Sequence, residues 1–150
     1  MSKLLSLKQF TRKSDAQSFI IDTGSTIYPL LVEGKVKSSL TVTKDRKTKR
    51  WHTTEWGSPK LIGLIERARG MRPQSSLVVL ISPQNPLGLR FIGERQTGKL
   101  LLTPIANIPR ISLEAGEQRP AREIFLRLVP VANEYKDDQL EGLKDHSPKP

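Results

Sequence analysis

Hydrophobic and polar residues alternate most regularly in the first third of the chain. Val36, Leu40 and Val42 point one way, and the polar residues at the alternate positions point the other: Lys37, Ser39, Thr41 and Thr43. This pattern predicts a strand with one apolar face and one polar face. The next residues are polar and turn-like, and 48–56 is again rich in threonine and tryptophan. Residues 36–56 are therefore predicted to form a long antiparallel hairpin with a basic tip of sequence KDRKTKR.

Residues 59–69 carry the clearest helical pattern. Ser58 offers an N-cap, Pro59 suits the first helical position, and Gly70 offers a stop at the other end. Four apolar residues repeat at helical spacing and form one stripe: Leu61, Leu64, Ile65 and Ala68. The sequence therefore predicts a helix over 59–69 that packs on the body of the protein through this stripe.

Short apolar runs bounded by glycine and proline predict further strands. These runs lie at 18–22, 27–32, 77–81, 89–94 and 99–105. The segment 119–129 is ambiguous, because Pro120 can open a helix while the aliphatic residues alternate as they do in a strand. Pro130 is expected to end that segment in either case.

The order of these elements predicts an α+β, β-rich fold. We expect an antiparallel sheet or a partly open barrel with one central helix and a possible C-terminal helix. An oligonucleotide-binding barrel has a similar order, with a helix between its third and fourth strands. One globular domain is expected over 18–130, preceded by a lead-in over 1–17 with a short helix near 3–10. An acidic and mobile tail is expected over 131–150.

The composition excludes several classes of function. The 150 residues include no cysteine, which removes disulfides, thiolate metal sites and cysteine nucleophiles. The longest apolar runs, such as 77–81, have about five residues, far fewer than the roughly 20 that span a bilayer. The N-terminus lacks the apolar region of a secretory signal. We therefore expect a cytoplasmic protein without cofactors and without membrane insertion.

A large positive charge is concentrated in one quarter of the chain. The sequence has 25 basic and 15 acidic residues, which gives a net charge of +10. Segment 35–72 alone carries 11 basic and 3 acidic residues, a net charge of +8, whereas 131–150 carries 3 and 5, a net charge of −2. A merely solvated face normally mixes both signs. This segment therefore predicts a surface that binds a polyanion, most commonly DNA or RNA.

The hairpin and the outward face of the helix are expected to contact phosphates, with little selectivity for base sequence. Strict alternation would put Trp51 and Trp56 on opposite sides of their strand, so that one anchors the core and the other stacks on a base. The predicted nucleic-acid-binding residues are Lys37, Lys44, Arg46, Lys47, Lys49, Arg50, Trp51, Lys60, Arg67 and Arg69.

Two other functions are compatible with the sequence. A chain poor in catalytic residues, with a long hairpin and two tails, suits an accessory subunit of a larger protein or nucleoprotein complex. In addition, Asp22 and the run Glu33-Gly34-Lys35 resemble the D…ExK pattern of PD-(D/E)xK nucleases, in which two carboxylates hold a divalent metal. The chain departs from that pattern because no proline precedes Asp22 and Pro29 interrupts the intervening strand. The sequence favours a binding protein over this enzyme.

Overall fold

The computed structural model describes residues 1–5, 7–57, 59–74, 77–81 and 90–134. Two α-helices lie in these ranges, α1 (Pro59–Met71) and α2 (Ala121–Glu134). Short 3-10 helices occupy Ala16–Phe19 and Pro109–Ile111. The strands are β1 (Ser2–Leu4), β2 (Ile20–Asp22), β3 (Ser25–Val32), β4 (Lys35–Lys44), β5 (Trp51–Gly57), β6 (Leu77–Ile81), β7 (Arg90–Gln96), β8 (Lys99–Pro104) and β9 (Arg119–Pro120).

These strands form two sheets. The larger has six strands in the order β2-β1-β6-β7-β8-β9, and the smaller has three in the order β3-β4-β5. Each neighbouring pair is antiparallel except β1 and β6, which run parallel. The predicted α+β, β-rich class is therefore confirmed, with the central and C-terminal helices both present. The sheets do not close into a barrel.

The N-terminal residues are part of the folded body, and the described residues of 3–10 do not form the helix expected there. Instead β1 lies between β2 and β6 in the six-stranded sheet. Leu7 and Phe10 follow it and are each only 4% exposed. A three-residue strand is too short to show an alternating pattern. The leucines of this segment are instead spaced as in a helix, which is why the sequence predicts one.

Helix α2 closes the larger core. Its buried residues follow a helical period and pack with the six-stranded sheet: Ala121, Ile124, Phe125, Leu128 and Val131. Pro130 was expected to end the segment, but it lies inside the helix on an exposed position. A proline inside a helix removes one backbone hydrogen bond and costs about 3 kcal/mol. Burial of the apolar stripe on both sides of Pro130 outweighs that cost.

Helix α1 forms a second core with the inner face of the β3-β4-β5 sheet. Ile62, Ile65 and Ala68 are buried there, and Ile27 and Val36 of the sheet pack against them. The predicted helix is confirmed, with three differences. It runs through Gly70 to Met71, it buries Ile62 while Leu61 and Leu64 are only partly buried, and the proposed cap Ser58 lies outside the described residues.

Among the glycines whose surroundings the structure describes, Gly57 leaves the least room for a side chain. It pairs with the buried Ser39, and a Cβ at 57 would overlap the hydroxyl oxygen of Ser39 and lie 3.3 Å from its Cβ. We expect Gly57→Ala to lower the free energy of unfolding by about 1–3 kcal/mol, because overpacking forces backbone and side chains to shift. Urea denaturation monitored by circular dichroism measures the change.

Two further variants make this test specific. In a Ser39→Ala background the hydroxyl is gone, so Gly57→Ala should lower the free energy of unfolding by less than it does in the wild type. Gly63→Ala in α1 is the matched control, because the space around a Cβ at 63 is open and alanine favours a helix. Equal losses at 57 in both backgrounds would show that Ser39 is not the obstacle.

Candidate nucleic-acid interface

Trp51 and Trp56 lie on the same face of the three-stranded sheet, which corrects the prediction that they lie on opposite faces. Trp56 pairs with Leu40 of β4, and Trp51 pairs with Lys44. The register shifts once between these two pairs, because β5 carries one extra residue, Thr54. Such a β-bulge reverses the alternation of a strand, so two residues five positions apart point the same way.

Both tryptophans are exposed on the side of the sheet that faces away from α1, so neither anchors the core. Trp51 is 56% exposed and Trp56 is 71% exposed. Tyr28 joins them, since it pairs with Leu40, which in turn pairs with Trp56 in a row across the three strands. Tyr28 is 50% exposed. We call this outer side of the sheet, with Tyr28, Trp51 and Trp56, the aromatic face.

The last residue of β4 and the turn that follows it form the basic tip, residues 44–50, which is ordered by its one carboxylate. Oδ1 of Asp45 accepts hydrogen bonds from the backbone N–H groups of Lys47 (2.8 Å) and Thr48 (2.6 Å). The backbone N–H of Asp45 donates to the carbonyl oxygen of Arg50 across the turn (2.8 Å). The basic tip thus holds five exposed cations on a backbone that is ordered by hydrogen bonds: Lys44, Arg46, Lys47, Lys49 and Arg50.

The hydrogen bonds to Asp45 also set its ionisation. The hydrogen bonds from Thr48 have the largest effect, and the one from the backbone of Lys47 adds to it. Both stabilise the carboxylate and lower the pKa of Asp45 below its ordinary value. Because its pKa is lower in the folded state than in the unfolded state, the Asp45 carboxylate stabilises the fold at pH values above its ordinary pKa. This contribution is lost as the pH falls through the lowered pKa. The tip therefore keeps its order at neutral pH.

We expect Asp45→Ala and Asp45→Asn to separate the order of the tip from its charge. Each removes one negative charge, but asparagine still offers a side-chain oxygen to Lys47 and Thr48. The alanine variant should bind a fluorescent single-stranded oligonucleotide about 3- to 10-fold more weakly than the asparagine variant, because its tip must be ordered on binding. Fluorescence anisotropy measures this ratio. Equal affinities would show that order in the turn is irrelevant to binding.

The basic tip and the aromatic face are continuous. Lys44 ends β4, and its ammonium group lies 5.6 Å from the centre of the Trp51 ring, within the range of a cation–π interaction. Arg46 reaches back and donates from Nη2 to the backbone carbonyl oxygen of Asp22 (3.1 Å). One surface therefore offers cations beside exposed aromatic rings.

The remaining predicted residues lie elsewhere. Lys60, Arg67 and Arg69 are on α1, which packs on the opposite side of the sheet from the aromatic face. Arg69 also forms an ion pair with Glu66 (3.8 Å). Lys37 lies on β4 at the end of the sheet away from the basic tip, beside a second register shift that separates the pairs of β3 with β4. The structure brings together the cations of the tip and Trp51, but not those of the helix.

The residues that resemble a nuclease motif are far apart. Asp22 is the last residue of β2, just before the tip end of β3, and its Oδ1 accepts a hydrogen bond from the backbone N–H of Gly24 (2.9 Å). Glu33 and Gly34 form the turn at the other end of β3, and Lys35 begins β4. At about 3.3 Å per residue, the eight residues of β3 separate the two carboxylates by roughly 25 Å. One metal ion cannot bind both.

Comparison of the chain with known protein families, with curated proteins and with solved structures finds no match. Neither helix in the described ranges is long and apolar enough to cross a membrane. Within the same ranges, no group of three or more histidine, aspartate or glutamate side chains is placed to hold a metal ion.

Proposed function

We propose that the protein is a non-catalytic nucleic-acid-binding protein that contacts the phosphate backbone through its basic tip. The main support for this proposal is the basic tip itself: the Asp45 side chain accepts two backbone hydrogen bonds of the turn, and the tip carries five exposed cations. A cytoplasmic location, where nucleic acid is accessible, belongs to the same proposal.

Phosphate binding by such a tip has a quantitative signature. Each neutralised phosphate releases condensed counterions, so the logarithm of the binding constant falls with the logarithm of the salt concentration. The slope is about −0.7 per contact for a single strand and about −0.9 for B-form DNA. If all five cations of the tip engage, the slope lies between about −3.5 and −4.5.

Binding of single- and double-stranded DNA and RNA of about 20 nucleotides, at about 50 mM and about 200 mM salt, tests the proposal. We expect binding at the lower concentration and a loss of about 100- to 500-fold in affinity at the higher one. If none of the four nucleic acids binds at about 50 mM salt, the proposal is wrong.

A second candidate function is that of an accessory subunit in a larger protein or nucleoprotein complex. The aromatic face favours it, because exposed tryptophan and tyrosine side chains are enriched at the centres of protein interfaces. The cations beside that face would then select an acidic partner. Recovery of one dominant protein from the native host after nuclease treatment, with no binding to free nucleic acid, would favour the subunit.

A further inference from the structure

We infer that the aromatic face binds the unpaired bases of a single-stranded nucleic acid, whose phosphates the basic tip holds. This inference rests on the proposed function and goes beyond it, because it assigns the strand type and a second set of contacts. Phosphate contacts by the tip alone would serve single and double strands alike. The aromatic face would favour single strands over double strands, because only unpaired bases can stack on its rings.

The spacing of the three aromatic residues suits separate bases rather than contacts with one another. Leu40 and Lys44, the partners of Trp56 and Trp51, are four residues apart on β4, or about 13 Å along the strand. Tyr28 lies two strands away from Trp56, a distance of about 10 Å at about 4.8 Å per strand. The three rings are thus separated from one another, and each has a π-face on which a planar base can stack.

The charges around the aromatic face select a polyanion over a second copy of the chain. Lys35 and Lys44 lie at the two ends of β4 on this side of the sheet, and the cations of the basic tip continue from Lys44. Two copies joined by their aromatic faces would bring these six cations together with only two carboxylates, Glu33 and Asp45, in the turns at the ends of β4 to offset them. A nucleic acid strand supplies phosphates for the lysines and bases for the rings.

Only a single strand satisfies both requirements. In a duplex the faces of the bases are stacked inside the helix, so a flat sheet surface reaches phosphates and sugars alone. In a single strand the bases can turn outward onto aromatic side chains while the phosphates follow a positively charged track. Some sheet domains that bind single-stranded RNA work in this way, stacking two or three bases on exposed aromatic residues.

The chain provides its own reporters for this contact. It contains two tryptophans, and both lie on the aromatic face. We expect an oligothymidylate of about 20 nucleotides to quench the intrinsic tryptophan fluorescence at about 50 mM salt. An oligomer of the same length with abasic sugars has the same phosphates, so it should still bind, but more weakly and without that quenching. The variants Trp51→Phe and Trp56→Phe each leave one reporter, and each should still be quenched.

Alanine variants measure the stacking contribution. Trp56→Ala should weaken oligothymidylate binding by about 5- to 100-fold while leaving abasic binding and the salt slope unchanged. Trp56→Phe keeps a π-face and should restore most of the affinity. Met71→Ala is the control, since Met71 is 55% exposed on α1, away from the aromatic face. Because Trp56 is so exposed, its variants should melt near the wild-type temperature.

Three results would overturn the inference. Equal affinity for oligothymidylate and the abasic oligomer, without quenching, would show that phosphates alone are bound, and the proposed function would stand. A dimer in sedimentation that Trp56→Ala dissociates would assign the aromatic face to a second copy. Absence of binding to both oligomers at about 50 mM salt would remove the proposed function and this inference with it.

Discussion

Replacing Phe125 by alanine is expected to lower the free energy of unfolding by about 3–5 kcal/mol, the largest loss we expect from one substitution. The Phe125 side chain is fully buried in the larger core, and the Phe10 ring meets it edge-on at 5.4 Å between centroids. Truncation removes these contacts and leaves a cavity that the sheet and α2 can only partly close. Small domains are stable by about 5–15 kcal/mol, so the variant should unfold at a much lower urea concentration.

The same experiment tests whether the N-terminal residues belong to the core. Phe10→Ala should also be strongly destabilising, and the double variant should lose less than the sum of the two single losses, by about 0.5–1.5 kcal/mol. Val32→Ala is the control, because Val32 is exposed and its truncation should change stability by less than about 0.5 kcal/mol. A Phe10→Ala variant as stable as the wild type would contradict the packing of this segment.

Reversing three charges of the basic tip is expected to abolish nucleic-acid binding. The triple variant Lys47→Glu, Lys49→Glu, Arg50→Glu removes three phosphate contacts and adds three repulsive charges. For a single strand the salt slope should fall by about two, and affinity at about 50 mM salt should drop about 100-fold or more. These side chains are exposed, so stability should change little. Fluorescence anisotropy and a melting curve measure the two quantities.

A control with the same change in net charge makes this result interpretable. Arg12, Lys13 and Arg122 are also exposed, and the side chain of Arg122 donates to the backbone carbonyl of Ser14 near the start of α2. Reversing all three should lower the affinity much less than reversing the tip. If both triple variants lose affinity equally, binding depends on the net charge of the protein and not on the basic tip.

The regular parts of the fold are predictable because their periods are long enough to be recognised. Helix α1 shows four apolar residues at helical spacing, and the alternation in β4 correctly predicts a strand. The faces of that strand differ from the prediction, because Val36 packs on α1 whereas Leu40 lies on the aromatic face, and the buried residues of β4 are Ser39 and Thr41. The three-residue β1 offers no period, so its place in the sheet depends on partners distant in sequence. Pro130 misled the prediction of α2, because local preference at one residue is outweighed by burial along the whole stripe.

The cations of the candidate site are visible in the sequence, but their surface is not. Charge density in the sequence identifies the basic tip. It does not show that α1 packs on the other side of the sheet, which places Arg67 and Arg69 away from the tip. The extra residue Thr54 moves Trp51 and Trp56 to one face, and a bulge leaves no signal in a single sequence. The alternation of Tyr28 with Ile27 would place Tyr28 on the outer face, but Pro29 makes β3 resemble an irregular edge strand, so the sequence does not indicate this.

Backbone chemical-shift mapping locates the binding surface residue by residue, and at 16.9 kDa the protein is well suited to it. The labelled protein is titrated with a short oligothymidylate, and the shift of each amide signal is followed. We predict that the largest changes lie within 25–57, at the basic tip and beside Tyr28, Trp51 and Trp56. Changes confined to α2 and the 3-10 helix Ala16–Phe19, or no changes at saturating oligonucleotide, would show that the basic tip and the aromatic face do not bind the strand.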